Sequence, residues 1–300
     1  MPRTSGRSGL TMLVDGSSMI YRAFFAVPDT VRAPSGEPVN GAYGFLNMLA
    51  RLIVDRHPAS VLVATDEDWR PSWRVDLIEE YKLHRVAAED AEPDPVEPQI
   101  ALCVELLELA GIAVAGCESY EAEDVIGTFV ERARGEVAIV SGDRDLFQLV
   151  RDPDVYVLFP VRGVSELTKI DESYIREKYG IPGRAYADFA VLRGDPSDGL
   201  PGVRGIGAKS ATDLIAKYGS LDAVVEAAKN AKAGPLAKVA VALDYVGRAR
   251  KVVAITGEAP APEIDITLGS RAASSDLKAR ADELGLSGPV ERLLQALQTD

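Results

Sequence analysis

The chain has 300 residues, 47% of them hydrophobic, with 33 basic and 46 acidic side chains and a net charge of −13. That is enough for one large domain or two small ones, at an apolar content normal for a globular protein. No apolar run reaches the roughly 18 residues of a membrane span, and the charge, taken as a bare sum, argues against a nucleic-acid partner.

The first apolar run is TMLV (11–14), read as a buried strand, behind a start (MPRTSGRSGL) that has no apolar stretch of the signal-peptide kind. Residues 1–9 read as a flexible tail. GAYGFLNMLARLIVDRH follows, with apolar residues at 45, 46, 49, 52 and 53 on one helical face. SVLVAT (60–65) is a second strand. WRPSWRVDLIEEYKLHRV then reads as one helix with Pro71 at its first position. On it Arg74, Tyr81 and Arg85 fall near one face, with Lys82 beside them. A base–aromatic–base stripe suits a phosphate backbone with stacked bases; a solvated face carrying Glu79 and Glu80 is the alternative.

After a Pro-interrupted acidic loop come two helices, EPQIALCVELLELAG and SYEAEDVIGTFVERAR, with Ser119 as N-cap of the second. EVAIVS (136–141) and VYVLF (155–159) are further strands. Strand–helix alternation implies an α/β fold with a mostly parallel central sheet flanked by helices. Near residue 190 the texture changes to LRGDPSDGLPGVRGIGAKSATDLIAKYG, a Gly-rich turn leading into a helix. Helices at about 220–229 and 234–255, a Pro-rich link GEAPAPE, a strand IDITL and two last helices complete the pattern.

The acids are not scattered. Asp15 follows the first strand, Asp66 the second, and Asp143 and Asp145 the third. In open α/β sheets ligands bind beyond the carboxyl ends of the strands. Any one such aspartate also serves as a turn former or helix cap; the repetition is what marks a site. Glu121, Glu123 and Asp124 add an acidic first helical turn, itself ordinary, and Asp195 and Asp198 a turn pair. These nine acids, with Glu89, Asp90, Glu92, Asp94 and Glu97 of the acidic loop, set aside, 32 acids face 33 bases, so a basic face stays available.

Nine converging carboxylates need neutralising. Oxygen-only ligands suit Mg²⁺ or Mn²⁺, and two ions about 4 Å apart support phosphoryl displacement. His57 and His84 are the only histidines, which disfavours a His-based zinc site. Cys103 and Cys117 match no metal or redox spacing, which fits a reducing cytoplasm. In the Gly-rich turn, Gly202, Arg204, Gly205, Gly207 and Lys209 form a phosphate-approaching element at a helix start; a plain helical connection is the alternative.

LVDGSSMIYRAFFA, YKLHR, YEAEDVIG, SGDRDLFQL and LRGDPSDGLPGVRGIGAKSA together resemble the 5′ nuclease (flap endonuclease) family, in the form of a free-standing relative of the 5′ nuclease domain of bacterial DNA polymerase I. The resemblance runs from about residue 10 to the end of the chain. It implies a helical arch at about 69–98 within a nuclease core at 10–190, a helix–hairpin–helix DNA-binding region at 191–255, and a C-terminal segment at 256–300 packing on the core. It matches Asp15, Asp66, Glu121, Glu123, Asp124, Asp143, Asp145, Asp195 and Asp198 to metal-site acids, and Lys82 and Arg85 to a basic catalytic pair. Arg22, Arg74, Tyr81 and the hairpin residues become DNA contacts, with potassium at the hairpin.

The implied activity is 5′-3′ exonuclease and flap endonuclease action in replication and repair, with two or more Mg²⁺ or Mn²⁺ ions. Its substrate would be DNA with a 5′ flap, nick or 5′ overhang, RNA-containing primer strands included, and its agent a cytoplasmic monomer with no membrane partner. A PIN-like metal-dependent ribonuclease and a non-catalytic structure-specific DNA-binding protein are the competing readings. Two positions depart from the family pattern: Glu123 stands where an aspartate is usual, and Thr65 where phenylalanine is. Glu123 lies roughly 200° around the helix from Glu121, so it is expected to be a weaker ligand than Asp124.

Overall fold

The structure, a computed structural model, describes residues 8–86 and 94–298. Residues 1–7 of the expected tail, and Glu89, Asp90 and Glu92 of the acidic loop, lie outside the described residues. Six strands form one sheet: β1 (Ser8–Asp15), β2 (Pro58–Ala64), β3 (Ala113–Ala115), β4 (Val137–Val140), β5 (Val155–Arg162) and β6 (Glu166–Ile170). Their order is β3-β2-β1-β4-β5-β6, and every neighbouring pair is parallel except β5 with β6. Ser8 and Gly9 belong to β1 rather than to a tail.

Side-chain alternation splits the core into two layers. Leu13, Leu62, Ile139 and Val157 face one layer, while Met12, Val14, Val61, Val63, Ala138 and Val140 face the other. Both faces are apolar because helices cover both. The helices are α1 (Gly16–Ala26), α2 (Asn40–Arg56), α3 (Ser72–Leu77), α4 (Glu97–Leu109), α5 (Ala122–Arg132), α6 (Glu172–Tyr179), α7 (Tyr186–Arg193), α8 (Ala208–Tyr218), α9 (Leu221–Ala228), α10 (Gly234–Val241), α11 (Leu243–Val253), α12 (Asp276–Glu283) and α13 (Ser287–Gln298). The periodic residues of α2, Phe45, Leu46, Leu49, Leu52 and Ile53, are all buried, and α13 packs against α2. Among the described residues no helix is long and apolar enough to cross a membrane.

Several expectations are corrected. The single helix expected from Pro71 to Arg85 is broken. α3 ends at Leu77, Ile78 turns extended, and Lys82 takes a left-handed conformation at φ 50°. Arg70 causes part of this, since its guanidinium caps the turn by donating to the Tyr81 carbonyl at 2.6 Å and the Glu79 carbonyl at 2.7 Å. Ser119 does not cap α5; Glu121 does, with its backbone N–H donating to Asp124 Oδ2 at 3.3 Å. IDITL makes only an isolated antiparallel bridge, Thr267 to Ser60. The stretch 234–255 divides at Ala242 into two helices.

Candidate active site

β1 has β2 on one side and β4 on the other, so the chain's winding direction reverses between β1 and β4. A crevice opens beyond the strand ends at such a point. Asp15 ends β1 and caps α1, its Oδ1 accepting the Ser18 N–H at 3.0 Å. Its Oδ2 accepts the Ser141 hydroxyl at 2.5 Å. The Ser141 oxygen in turn accepts the Asp143 N–H at 2.9 Å, and Asp143 Oδ1 accepts the Asp145 N–H at 2.9 Å. Asp66, just past β2, accepts the Ala122 N–H at the start of α5 at 2.7 Å, while its own N–H donates to Ser17 Oγ at 3.2 Å. Three strand ends and one helix start are thus tied together through serine hydroxyls and backbone amides.

These acids repel one another. Burial pushes the Asp15 carboxyl up to about 7; the charges of Asp66 and Asp143 push the same way, and Ser141 and Ser18 oppose. Burial also lifts Asp145 well above the usual carboxylate range, and Asp143, Asp198 and Asp195 lift it further. Asp198 is raised by burial and by Asp143 and Glu121, with Lys82 and Arg85 opposing. Glu123 is raised well above its ordinary value by burial first and by Glu121 next, with Asp143 adding and Arg74 and Lys82 opposing. The electrostatic neighbours of these four groups therefore include Asp66, Asp143, Asp195 and Glu121.

Arg74 is the largest correction to the expected DNA stripe. It is fully buried, not surface-exposed, and lies against α5. Its Nη1 donates to Glu121 Oε1 at 2.6 Å and to Glu123 Oε1 at 3.3 Å, and its Nη2 to Asp124 Oδ1 at 2.9 Å. Tyr81 is also buried, its hydroxyl donating to Glu121 Oε1 at 2.6 Å. Both side chains are therefore covered by the protein rather than displayed on an outer face. Lys82 Nζ donates to Glu121 Oε2, and the Lys82 N–H to the Asp198 carbonyl at 2.9 Å. Arg85 reaches Asp198 Oδ1 at 2.9 Å and the Ser197 carbonyl at 2.6 Å. Gly199 makes this approach possible: a Cβ there would lie 2.3 Å from the Glu80 carbonyl.

Both oxygens of Asp124 are engaged within the protein, and it is fully buried. It anchors Arg74 and the Thr256 N–H. Glu123, with a side chain 14% exposed, is the one that keeps an outlook.

Asp195 takes Arg193 Nη2 at 3.0 Å and the Ser197 N–H at 2.9 Å. Arg22 is exposed on α1, and its guanidinium lies against Gly142, between Ser141 and Asp143. Ser17, Ser141 and Arg193 escape the sequence reading; each stands two residues from an acid, Asp15, Asp143 and Asp195 in turn.

The donor set is oxygen-only, mutually repelling and partly buried, which fits a hard divalent cation. Among the described residues, no three acids, histidines or cysteines stand close enough to enclose an ion without side-chain movement. Arg74 and Lys82 hold the α5 acids, and Ser141, Ser18 and Ala122 hold Asp15 and Asp66.

Further along, Val203 and Ile206 are buried and fix the hairpin, while Arg204, Gly205, Gly207 and Lys209 are exposed. Gly202 has φ 70° and packs on the Arg193 carbonyl, where a Cβ would come within 2.5 Å. Its N–H donates to the Tyr245 hydroxyl at 2.9 Å. Lys238 Nζ donates to the Gly205 carbonyl at 2.8 Å.

Two family models match in succession: a 5′-3′ exonuclease N-terminal resolvase-like domain over residues 10–180 and a 5′-3′ exonuclease C-terminal SAM fold over 181–274. A 5′-3′ exonuclease of Streptomyces coelicolor is 47% identical over 300 residues, covering 95% of this chain and 99% of that protein. One of Mycobacterium tuberculosis is 41% identical, covering 96% and 98%. DNA polymerase I of Mycobacterium bovis is 43% identical over 219 residues, which is 72% of this chain and 24% of the polymerase.

Among solved structures, the bacteriophage T5 flap endonuclease in complex with DNA and metal ions superposes with a TM-score of 0.67 at 15% identity, covering 97% of this chain and 100% of that one. Flap endonuclease-1 of Methanococcus jannaschii gives 0.58 at 16%, covering 97% and 93%. At these identities the likeness is one of fold. The family models and the exonuclease relatives carry the further conclusion: this chain belongs to the 5′-3′ exonuclease family.

Proposed function

We propose that this chain is a metal-dependent, structure-specific 5′ nuclease that hydrolyses DNA phosphodiesters at junctions of single and double strand, in replication and repair. The observation that carries this reading is the convergence of Asp15, Asp66, Asp143 and Asp145 at the sheet's switch point, with Lys82 paired to Glu121 and Arg85 to Asp198 beside them. Asp15, Asp66, Glu123, Asp143, Asp145, Asp195 and Asp198 would hold two or more Mg²⁺ or Mn²⁺ ions. Such ions supply an activated water and charge neutralisation at the phosphate.

The chain's own residues do the rest. Lys82 and Arg85 exchange an acid partner for the phosphate, placing positive charge where negative charge develops. Arg204 and Lys209, on the exposed side of the hairpin, meet the duplex backbone together with the glycine N–H groups. Lys238 places a positive charge against the hairpin turn, the element that would also hold a potassium ion. In this reading residues 10–190 are the nuclease core, 191–255 the duplex-binding region and 256–300 a segment that packs on the core. Two buried free cysteines support a reducing, cytoplasmic setting.

Cleavage of 5′-labelled flap, nicked and overhang duplexes in Mn²⁺, with EDTA controls, tests the proposal. Junction cleavage that EDTA abolishes is expected. Cleavage of single-stranded RNA alone would favour the PIN-like ribonuclease, and DNA binding without any cleavage would favour a pure binding protein.

A further inference from the structure

We propose that Ser141 is a positioning residue of the acid cluster: its hydroxyl joins the end of β1 to the end of β4 and thereby sets the cluster's affinity for a divalent ion. This rests on the metal-dependent reading above. Ser141 is fully buried and stands one residue beyond β4. A hydroxyl has one proton to give and lone pairs to receive with. Here the receiving side is committed to the Asp143 N–H at 2.9 Å, and the proton to Asp15 Oδ2 at 2.5 Å.

Asp15 is therefore held at both oxygens, by Ser141 and by the Ser18 N–H at 3.0 Å. Asp143 is held through its backbone and through the Asp145 N–H, which its Oδ1 accepts at 2.9 Å. A continuous hydrogen-bonded chain thus runs Asp15–Ser141–Asp143–Asp145 across two adjacent parallel strands. Strand pairing alone does not fix these side chains, because the β1–β4 register ends at Val14 opposite Val140.

Groups behind a metal's direct ligands orient those ligands, and their loss costs affinity. Without the hydroxyl, Asp15 loses one of its two anchors, and its rotamer freedom must be frozen when an ion binds. Ser141 touches neither a phosphate nor an ion in this account; it acts through Asp15 and Asp143.

The test is Mn²⁺ binding by calorimetry to the full chain, without DNA, for the wild type, Ser141→Ala and Ser141→Thr, with metal-free melting temperatures alongside. Ser141→Ala is expected to weaken Mn²⁺ binding by about 10-fold or more, and Ser141→Thr, which keeps the hydroxyl, to stay within about threefold of wild type. A merely structural role would lower the metal-free melting temperature and leave the Mn²⁺ affinity in place. Wild-type affinity in Ser141→Ala, or an equal loss in Ser141→Thr, overturns the proposal while leaving the metal site standing. A wild-type chain that takes up no Mn²⁺ overturns both.

Discussion

Arg74 Nη2 donates to Asp124 Oδ1 at 2.9 Å, and neither side chain has any exposure. The pair sits between the segment that carries Lys82 and the first turn of α5, and the Thr256 N–H adds a second tie to the same oxygen at 3.1 Å. Breaking a buried ion pair costs about 3–5 kcal/mol, and loss of Asp124 leaves Arg74 with Glu121 and Glu123 alone and the Thr256 N–H without its acceptor. Asp124 and Glu123, adjacent in sequence, therefore separate into two roles.

Asp124→Ala should lower the melting temperature strongly, and its activity loss should follow from that instability. Glu123→Ala should leave the melting temperature nearly unchanged and slow single-turnover cleavage. This reverses the ranking expected from helical geometry alone. Thermal melts and single-turnover rates in Mg²⁺ and Mn²⁺ decide between them. An Asp124→Ala chain that melts like the wild type and fails to cleave would make Asp124 a ligand after all.

Divalent ions should stabilise the chain, since they bind the folded cluster and not the dispersed acids of the unfolded chain. At one hundred times Kd the gain is about 2.7 kcal/mol. Asp143 is exposed and stands within the serine-linked chain of acids, between Ser141 and Asp145. Asp143→Asn should lose most of this gain together with cleavage. A melting temperature indifferent to millimolar Mn²⁺ in the wild type would count against ion binding by the folded acids.

How much of this was legible beforehand differs by element. The period of α2 placed Phe45, Leu46, Leu49, Leu52 and Ile53 on one face, and all five are buried. The strand-end acids could be read because a buried run that stops at Asp is a local signal. β3 was missed because three residues, Ala113–Ala115, carry no period. β6 was missed because its pattern at the sheet edge is largely exposed or half-buried. Arg74 was misplaced because its destination is set by residues 47 to 50 positions later, which no local pattern encodes. The break after α3 was hidden for a related reason: Arg70 caps it from a position ahead of the helix.

Asp188, on α7, offers a pH test away from the cluster. Burial raises its carboxyl above the ordinary range; the Leu221 N–H and Arg250 oppose, and Asp222 adds to the rise. A raised acid binds its proton more tightly folded than unfolded, so its contribution to stability is full below the ordinary pKa and is lost as pH rises through the folded value. Asparagine keeps an oxygen for the Leu221 N–H, which Asp188 Oδ2 now accepts at 2.9 Å. Asp188→Asn should melt about 1–3 °C higher than wild type at pH 8, with the gap narrowing toward pH 3. A gap that widens on acidification would show that Arg250 outweighs burial.

Lys82 and Lys209 should fail in different ways. Lys82 is buried against Glu121 and lies among the acids that shift Asp145 and Asp198. Losing a charge aimed at the reacting phosphate costs a rate factor of about 10² or more, and Lys82→Ala should show it in single-turnover cleavage with duplex affinity little changed. Arg85→Ala should move the same way by a smaller factor, since Arg85 is 43% exposed and its charge is partly screened.

Lys209 has a side chain 88% exposed at the start of α8, paired with Asp213 one helical turn on. Such a surface pair is worth little, so the ammonium is free to meet a phosphate. Lys209→Ala should weaken duplex binding, reduce the slope of log affinity against log salt by about 1, and leave the rate at saturating enzyme alone. Binding isotherms at several salt concentrations and single-turnover rates separate the two outcomes. If Lys82→Ala and Lys209→Ala both changed affinity alone, the division between the acid cluster and the hairpin would be wrong.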